Sequence, residues 1–450
     1  MTPSHNTEKT KAKAAGTTLK PTSYRWLVFT LLMAVYVIGL FLRLCLGVVR
    51  VDLEAEFTLS AQAYGTLGGA FFYAYMLLQF PAGMLTDSRG PKRTALTGGL
   101  LMLLGTLVFA SAQNLTFLLI GRFLSGMGGG LVFIPVQKVC ALWFKEEEFG
   151  GINGLVNCLG YCGGIVAQGP LTYLVGLYSW RRVFGALAVL LALILAADLK
   201  WVHEKPEEVG LKPIPGTDSS RQERALTKGQ AWRGLMHVLS QKRSWPPTIV
   251  ALGLFGSYNA LTGIWGTSYV TEIYGKSTLE ASSSMTFALL GIALGSLVIT
   301  NWSQRLGRRR LPIQAACGAL AASWLLLIAN SSGFIPFPLL QLLFLFLGFC
   351  HSCIVVDVVV MKEMHLTAYT GTAVSTYNTG CFLGAALASP LMGLLLQRGG
   401  GGAAGYRFSF GLCLFLILAS FFFSFFIRET NCRNMGEKFE EEAAETKRKG

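Results

Sequence analysis

The chain has 450 residues, of which 52% are hydrophobic and only 14% are Asp, Glu, Lys or Arg, with a mean hydropathy of +0.50. Soluble domains carry about 25% charged residues, so this composition excludes a disordered chain, a collagen-like fibre and an ordinary cytosolic enzyme. The net charge of +14 is held in blocks between apolar stretches, with no base-stacking aromatics among them, and this argues against a nucleic-acid partner.

Residues 1–25 form a basic tail with Lys9, Lys11, Lys13, Lys20 and Arg25. The apolar run from Trp26 to about Val49 is too long for a signal-peptide core and lacks a cleavage site, so it reads as an uncleaved first span. Further spans are expected near 61–85, 94–113, 116–142, 151–176 and 183–201. A polar connector at 202–245 carries Pro206, Pro213 and Pro215. Beyond it come spans near 246–272, 281–300, 312–330, 336–361, 371–397 and 406–427, then a tail at 428–450. About twelve spans of ~20 residues fit this length. They must be helices, because unpaired backbone groups are too costly in hydrocarbon and nothing alternates like a barrel strand.

With the N-terminus placed in the cytoplasm, 30 of the 38 Lys and Arg residues fall in inner segments and six in outer loops. Both tails and the connector are therefore expected on the cytoplasmic side of a cell membrane. The two sets of spans also repeat. Gly83 to Arg93 joins spans two and three, and Thr300 to Arg310 joins spans eight and nine, with Gly90 and Gly307 lying 217 residues apart. Gly169-Pro170 is answered by Ser389-Pro390. The expected fold is an all-α membrane protein of twelve transmembrane helices in two pseudo-symmetric six-helix bundles, 26–201 and 246–427. Such parallel repeats suit a rocker-type transporter.

At these residues the sequence resembles the major facilitator superfamily over nearly its whole length. Gly83, Asp87, Gly90, Lys92 and Arg93 are similar to that family's loop 2–3 signature, whose second copy departs from it at Thr300 and Gln304. Arg122 with Gly126 looks like its fourth-span signature, and Trp180-Arg181 is similar to many members. The resemblance implies that Gly83, Asp87, Arg89, Gly90, Lys92 and Arg93 form a gate latch stabilising the outward-open state, with Arg122 in conformational coupling. The residues themselves argue for part of this. Gly83 would let another helix approach, Asp87 can accept bonds at a helix end or from Arg93, and the short basic turn anchors topology.

Glycine pairs at helical spacing, such as Gly65/Gly69, Gly126/Gly130 and Gly291/Gly295, allow close crossings in lipid. Polar residues within spans carry the functional expectation. Arg43 lies in the outer third of span one, where it either snorkels outward or clamps an anion. The stretches around Leu42-Arg43, Phe71-Phe72-Tyr73 and Gln79-Phe80-Pro81 look like the branch containing organic-anion symporters and organophosphate antiporters. In that branch a first-span arginine contacts the anion, as a guanidinium can do with paired bonds. Alignment with the glycerol-3-phosphate antiporters puts Asn259 and Gly160 where those carry an arginine and a histidine, which disfavours a phosphate ester. Tyr36, Tyr73, Gln79, Asn157, Asn259, Trp265, Tyr377 and Asn378 are expected to line a cavity around Arg43.

Embedded carboxylates are scarce. Asp357 either titrates in a proton pathway or pairs with Lys362, and His351 either carries a proton or is a hydrogen-bonded packing residue. Cys350-His351-Ser352-Cys353 lacks a second ligand pair, so no metal or cofactor is expected. Gln230 to Leu239 can form an amphipathic helix on the inner leaflet. Asn114-Leu115-Thr116 is a sequon pressed against a span, and Glu437 to Lys449 reads as a solvated end. The function expected is secondary active transport of a small organic solute, an organic anion being one candidate, by alternating access in a monomer, with or without proton coupling and with no covalent chemistry; the alternatives are an uncoupled facilitator or exporter, and a transporter-like solute sensor.

Overall fold

The computed structural model describes residues 21–211, 228–366 and 369–441. Lys9, Lys11, Lys13, Lys20, Pro213, Pro215 and the last nine residues of the tail lie outside them. Among the described residues all regular structure is helical. The first half of the chain contains α1 (Pro21–Leu44), α2 (Arg50–Phe57), α3 (Ala61–Leu77), α4 (Gln79–Arg89), α5 (Pro91–Ala110) and α6 (Leu115–Gly130). It continues with α7 (Phe133–Trp143), α8 (Glu146–Val166), α9 (Gly169–Tyr178) and α10 (Trp180–Trp201). The connector holds α11 (Lys228–Ser240). The second half has α12 (Trp245–Ala260), α13 (Gly266–Tyr274), α14 (Thr278–Leu306), α15 (Arg310–Ala329), α16 (Phe337–His351), α17 (Ile354–Glu363), α18 (Thr370–Arg398) and α19 (Gly402–Ser424).

Among the described residues ten helical stretches are long and apolar enough to cross a membrane. The expected second and fifth spans are not among them. Those two stretches form the broken rods α3–α4 and α8–α9.

Three of the breaks have a common cause. Proline has no N–H to offer the carbonyl four residues before it. Pro81, Pro135 and Pro170 thus orphan the carbonyls of Leu77, Leu131 and Val166. The helices stop at Leu77, Gly130 and Val166. The run Gly128-Gly129-Gly130 weakens the second break further. In the second half α12 and α13 are joined by a π-turn, Leu261–Trp265, and α16 and α17 by Ser352-Cys353 with no proline nearby.

The halves are organised alike. α5 packs on α6 and α10, and α3 on α6; after the connector, α14 packs on α16, and α12 and α15 on α19. The glycine pairs serve packing: a Cβ on Gly126 would meet the Phe71 carbonyl at 2.2 Å, and one on Gly291 the Leu345 carbonyl at 2.0 Å. Each half also closes one helix start with a carboxylate that follows its last helix. Glu204 accepts from the Lys92 N–H at 3.1 Å, and Glu429 accepts from the N–H groups of Arg309 and Arg310 at 2.8 and 3.0 Å. Gly90 permits the first of these, because its φ is +88° and a Cβ there would lie 2.2 Å from Glu204 Oε1.

Asn114 caps α6, its side-chain oxygen accepting from the Phe117 N–H at 3.1 Å. The tail is not a solvated end as far as residue 441: Glu440 accepts from His237 at 3.0 Å and pairs with Arg243, and Phe439 is buried. Helix α11 forms where an amphipathic helix was expected. Its Gly234 and His237 pack on Tyr369 at the start of α18, while Trp232 and Met236 are exposed.

Candidate functional site

Contacts between the two halves concentrate at the end of the molecule away from the connector. α3 packs along α18 there, with a Cβ on Gly65 placed 2.6 Å from the Ser389 carbonyl and one on Gly393 placed 2.3 Å from the Ala61 carbonyl. Pro390 helps to free backbone for this approach: a Cβ on Gly69 would lie 2.9 Å from the carbonyl of Ala386, four residues before it. Gln168 Nε2 donates to the carbonyls of both Leu44 and Thr262, at 3.3 and 3.2 Å, and the Thr172 and Ser282 hydroxyls meet at 2.7 Å. Arg50 bonds Glu54 at 2.6 Å and Glu272 at 2.8 Å, with Trp265 and Tyr64 rings beside its guanidinium at 5.0 and 5.5 Å. Among the described residues, Arg50–Glu272 is the one ion pair that joins the halves.

On the connector side of this seam lies a cavity of about 240 Å³. It is built where the rods break. Gln79 follows the break at Leu78, Gly130 and Phe133 flank the break at Leu131-Val132, and Ile354 follows Ser352-Cys353. Tyr36, Leu40 and Arg43 enter from α1, Asn157, Gly160 and Tyr161 from α8, Phe255 from α12, and Tyr377, Asn378, Cys381 and Phe382 from α18.

Arg43 is the one charged residue among those lining the cavity. Its Nε is buried with no hydrogen-bond partner among the described residues, and its guanidinium carbon lies 5.7 Å from the Phe255 ring centre. Among the described residues no carboxylate pairs with it. The backbone that carries it is held from behind: Arg122, buried against the Phe71 ring at 4.8 Å, donates through Nη1 to the Leu42 carbonyl at 2.5 Å. Arg122 therefore contacts neither the loop 83–93 nor the cavity, but the residue next to Arg43.

The structure brings Tyr36, Arg43, Gln79, Asn157, Tyr377 and Asn378 to the cavity, and it leaves three expected residues out. Tyr73 and Tyr75 are about 200° apart on α3, and the inward one is Tyr75. Asn259 is buried and donates to the Phe255 carbonyl at 2.9 Å, one turn back on its own helix. Trp265 ends the π-turn and belongs to the seam, where its Nε1 donates to the Ser389 carbonyl at 3.2 Å. Sequence reasoning missed Tyr161, although it sits one turn after Asn157. It also missed Phe255, Ile354, Val355, Val358 and Phe382, whose apolar side chains carry no signal of their own.

The loop 83–93 is tied within the first half. Asp87 pairs with Lys138 of α7 at 2.5 Å and not with Arg93. Lys92 Nζ donates to the Leu199 carbonyl at 3.0 Å, and Arg89 and Arg93 are exposed. Gly83 has no close neighbour, since a Cβ there would meet nothing within 4 Å. Asp357 is fully buried, and neither carboxylate oxygen has a hydrogen-bond partner among the described residues. It does not pair with Lys362, which is exposed. His351 is a bonded packing residue: Nδ1 lies 2.8 Å from the Leu347 carbonyl and Nε2 3.2 Å from Ser257 Oγ.

The sequence profile of the Major Facilitator Superfamily matches residues 26–288 and 248–448, which together take in almost the whole chain. The chain belongs to the Major Facilitator Superfamily. It is a multi-pass membrane transporter and not an enzyme. It is 25% identical over 396 residues to the hexuronate transporter of Bacillus subtilis, covering 84% of this chain and 89% of that one. It is 24% identical over 392 residues to the Probable sulfoacetate transporter SauU of Cupriavidus necator, covering 84% and 88%. Among solved structures, a bacterial homolog of the human lysosomal transporter Spinster, inward-facing and unoccupied, superposes with a TM-score of 0.68 at 16% identity, over 92% of this chain and 98% of that one. This superfamily member thus has relatives among carriers of organic acids.

Proposed function

We propose that this superfamily member is a secondary active transporter of a small organic anion, working by alternating access between two six-helix bundles, 26–201 and 246–427. The broken rods α3–α4 and α8–α9 supply the second and fifth spans, making twelve. Their polarity suits helices that line a wet path rather than lipid. The observation that carries the reading is Arg43, a cation facing a cavity with no carboxylate beside it among the described residues. The residue is half-buried with its Nε shut away from water, so an anionic substrate would gain charge-assisted, paired hydrogen bonds that no protein group already takes. Hexuronate and sulfoacetate, named for two relatives, are both organic acids.

The excess of Lys and Arg places the connector and both termini in the cytoplasm. The sealed seam is then external and the conformation inward-open, as in the Spinster homolog. The latch residues Gly83, Asp87, Arg89, Gly90, Lys92 and Arg93 engage the other half only when the inner side closes. Asp357 is the group for proton coupling: it has no cation beside it, and its neighbours Tyr377 and Cys381 line the cavity.

Proteoliposome flux tests this. Anion uptake should be saturable, abolished by Arg43→Ala and retained in part by Arg43→Lys. An inward proton gradient should accelerate it in the native protein and not in Asp357→Asn. Unchanged uptake by the Arg43→Ala protein would end the anion reading.

A further inference from the structure

The two walls of the cavity differ in chemistry. The first half of the chain contributes Tyr36, Arg43, Tyr75, Gln79, Asn157 and Tyr161 beside the apolar Leu40, Phe133 and Ile134, so its wall is mixed, carries most of the polar groups and holds the charge. The second half contributes Phe255, Ile354, Val355, Val358, Cys381 and Phe382, so its wall is apolar. Two polar side chains interrupt that wall. The Tyr377 hydroxyl spends its one donor on the Ile354 carbonyl at 3.0 Å, which leaves Asn378 as the uncommitted donor on that wall.

From this asymmetry we infer that the substrate is a monocarboxylate with an apolar body, an aryl or branched aliphatic acid, and not a polyhydroxylated sugar acid. The inference rests on the anion reading of Arg43 and extends it to the rest of the ligand. A carboxylate on Arg43 directs the remainder of the molecule across the cavity to Phe255, whose ring lies 5.7 Å from the guanidinium and 4.9 Å from the Phe382 ring. Phe382 in turn stacks on Tyr75 at 3.9 Å, so the aromatic surface is continuous beneath the head group.

A sugar acid presents hydroxyls on every side. Those turned to Ile354, Val355 and Val358 would lose their water and gain no partner, which is an unfavourable exchange. A second carboxylate fares worse, because the lining contains no second cation. An aryl or branched alkyl group buries apolar surface against the same wall and gains from it. The head would ride with the first half and the body with the second, so one ligand would bind both walls that must move together.

Competition against Arg43-dependent uptake by the full chain in proteoliposomes decides this, with phenylacetate and 4-methylpentanoate set against glucuronate and glucarate. The apolar acids should compete at least about tenfold better. Phe255→Asn should narrow that ratio by about fivefold or more, whereas Arg43→Lys should weaken both classes equally. Val358→Thr, almost isosteric, repeats the test if the asparagine variant does not express. Glucuronate competing as well as phenylacetate, with uptake still dependent on Arg43, would overturn the apolar-body inference and leave anion transport standing. Failure of every acid to compete, with uptake indifferent to Arg43→Ala, would overturn both.

Discussion

The glycines at the two ends of this molecule include two contrasting sets. At the seam away from the connector, a Cβ on Gly65, Gly69 or Gly393 would collide with the backbone of the other half. At the connector end, a Cβ on Gly83, Gly151, Gly154 or Gly371 would meet nothing within 4 Å. Ion pairs follow the same division. Arg50–Glu272 crosses the seam, while Arg25–Glu148, Asp87–Lys138 and Arg309–Glu363 near the connector each stay within one half. Close packing explains the first set of glycines directly. On the proposed alternation, the second set is a surface that is used when the connector end closes and the seam opens. One static structure would then carry the contact faces of two states.

Three substitutions test that contrast. Gly65→Leu should have the largest effect, because the Ser389 backbone cannot retreat from a side chain already clashing at Cβ. Uptake should fall by about tenfold or more, since overpacking at a rigid contact is not relieved by rotamer changes. Cysteine labelling at Ser60 should rise as the seam is held apart; unaltered labelling would show that the seam tolerates bulk. Gly83→Leu should act on the opposite state. Thermal stability in the present conformation should be unchanged, while turnover falls several-fold because the inner side cannot close. A loss of stability would mean that Gly83 already packs in this state. Glu272→Gln should have the smallest effect, because this carboxylate is partly solvent-exposed and such pairs contribute about 1 kcal/mol or less. That corresponds to a shift of roughly fivefold in the ratio of the two labelled states, and it should diminish at high salt.

Much of this architecture was legible in the sequence because bilayer physics is strict. Length and hydropathy pointed to apolar helices, ten of which stand among the described residues as long enough to cross a membrane, and the repeated loops suggested two halves. The site was half legible. Arg43, Gln79 and Asn157 announce themselves as polar residues in apolar helices, and the structure sets all three on the cavity wall. Tyr73 was expected from its place in the family-like stretch Phe71-Phe72-Tyr73, and the structure turns Tyr75 inward instead. Asn259 and Trp265 were chosen by alignment with a phosphate site, and the local backbone disposes of both: one side chain bonds its own helix and the other follows a π-turn into the seam. The bond from Asp87 to Lys138 joins residues 51 positions apart, and no local spacing could have indicated it. The apolar wall was the least legible part, since a valine that faces a ligand and a valine that faces lipid are spelled alike.

The proline-set breaks have a consequence for engineering. Each interruption falls one turn ahead of Pro81, Pro135 or Pro170, so the position of the proline fixes where the rod bends and in which direction. Moving one of these prolines by a single position would move the bend with it and swing its direction by about 100°, re-aiming the segment that follows without altering any of its side chains. The shape of the chamber is therefore partly set by three imino acids that are not among its lining, and relocating one of them reshapes it by a different route from repainting the walls.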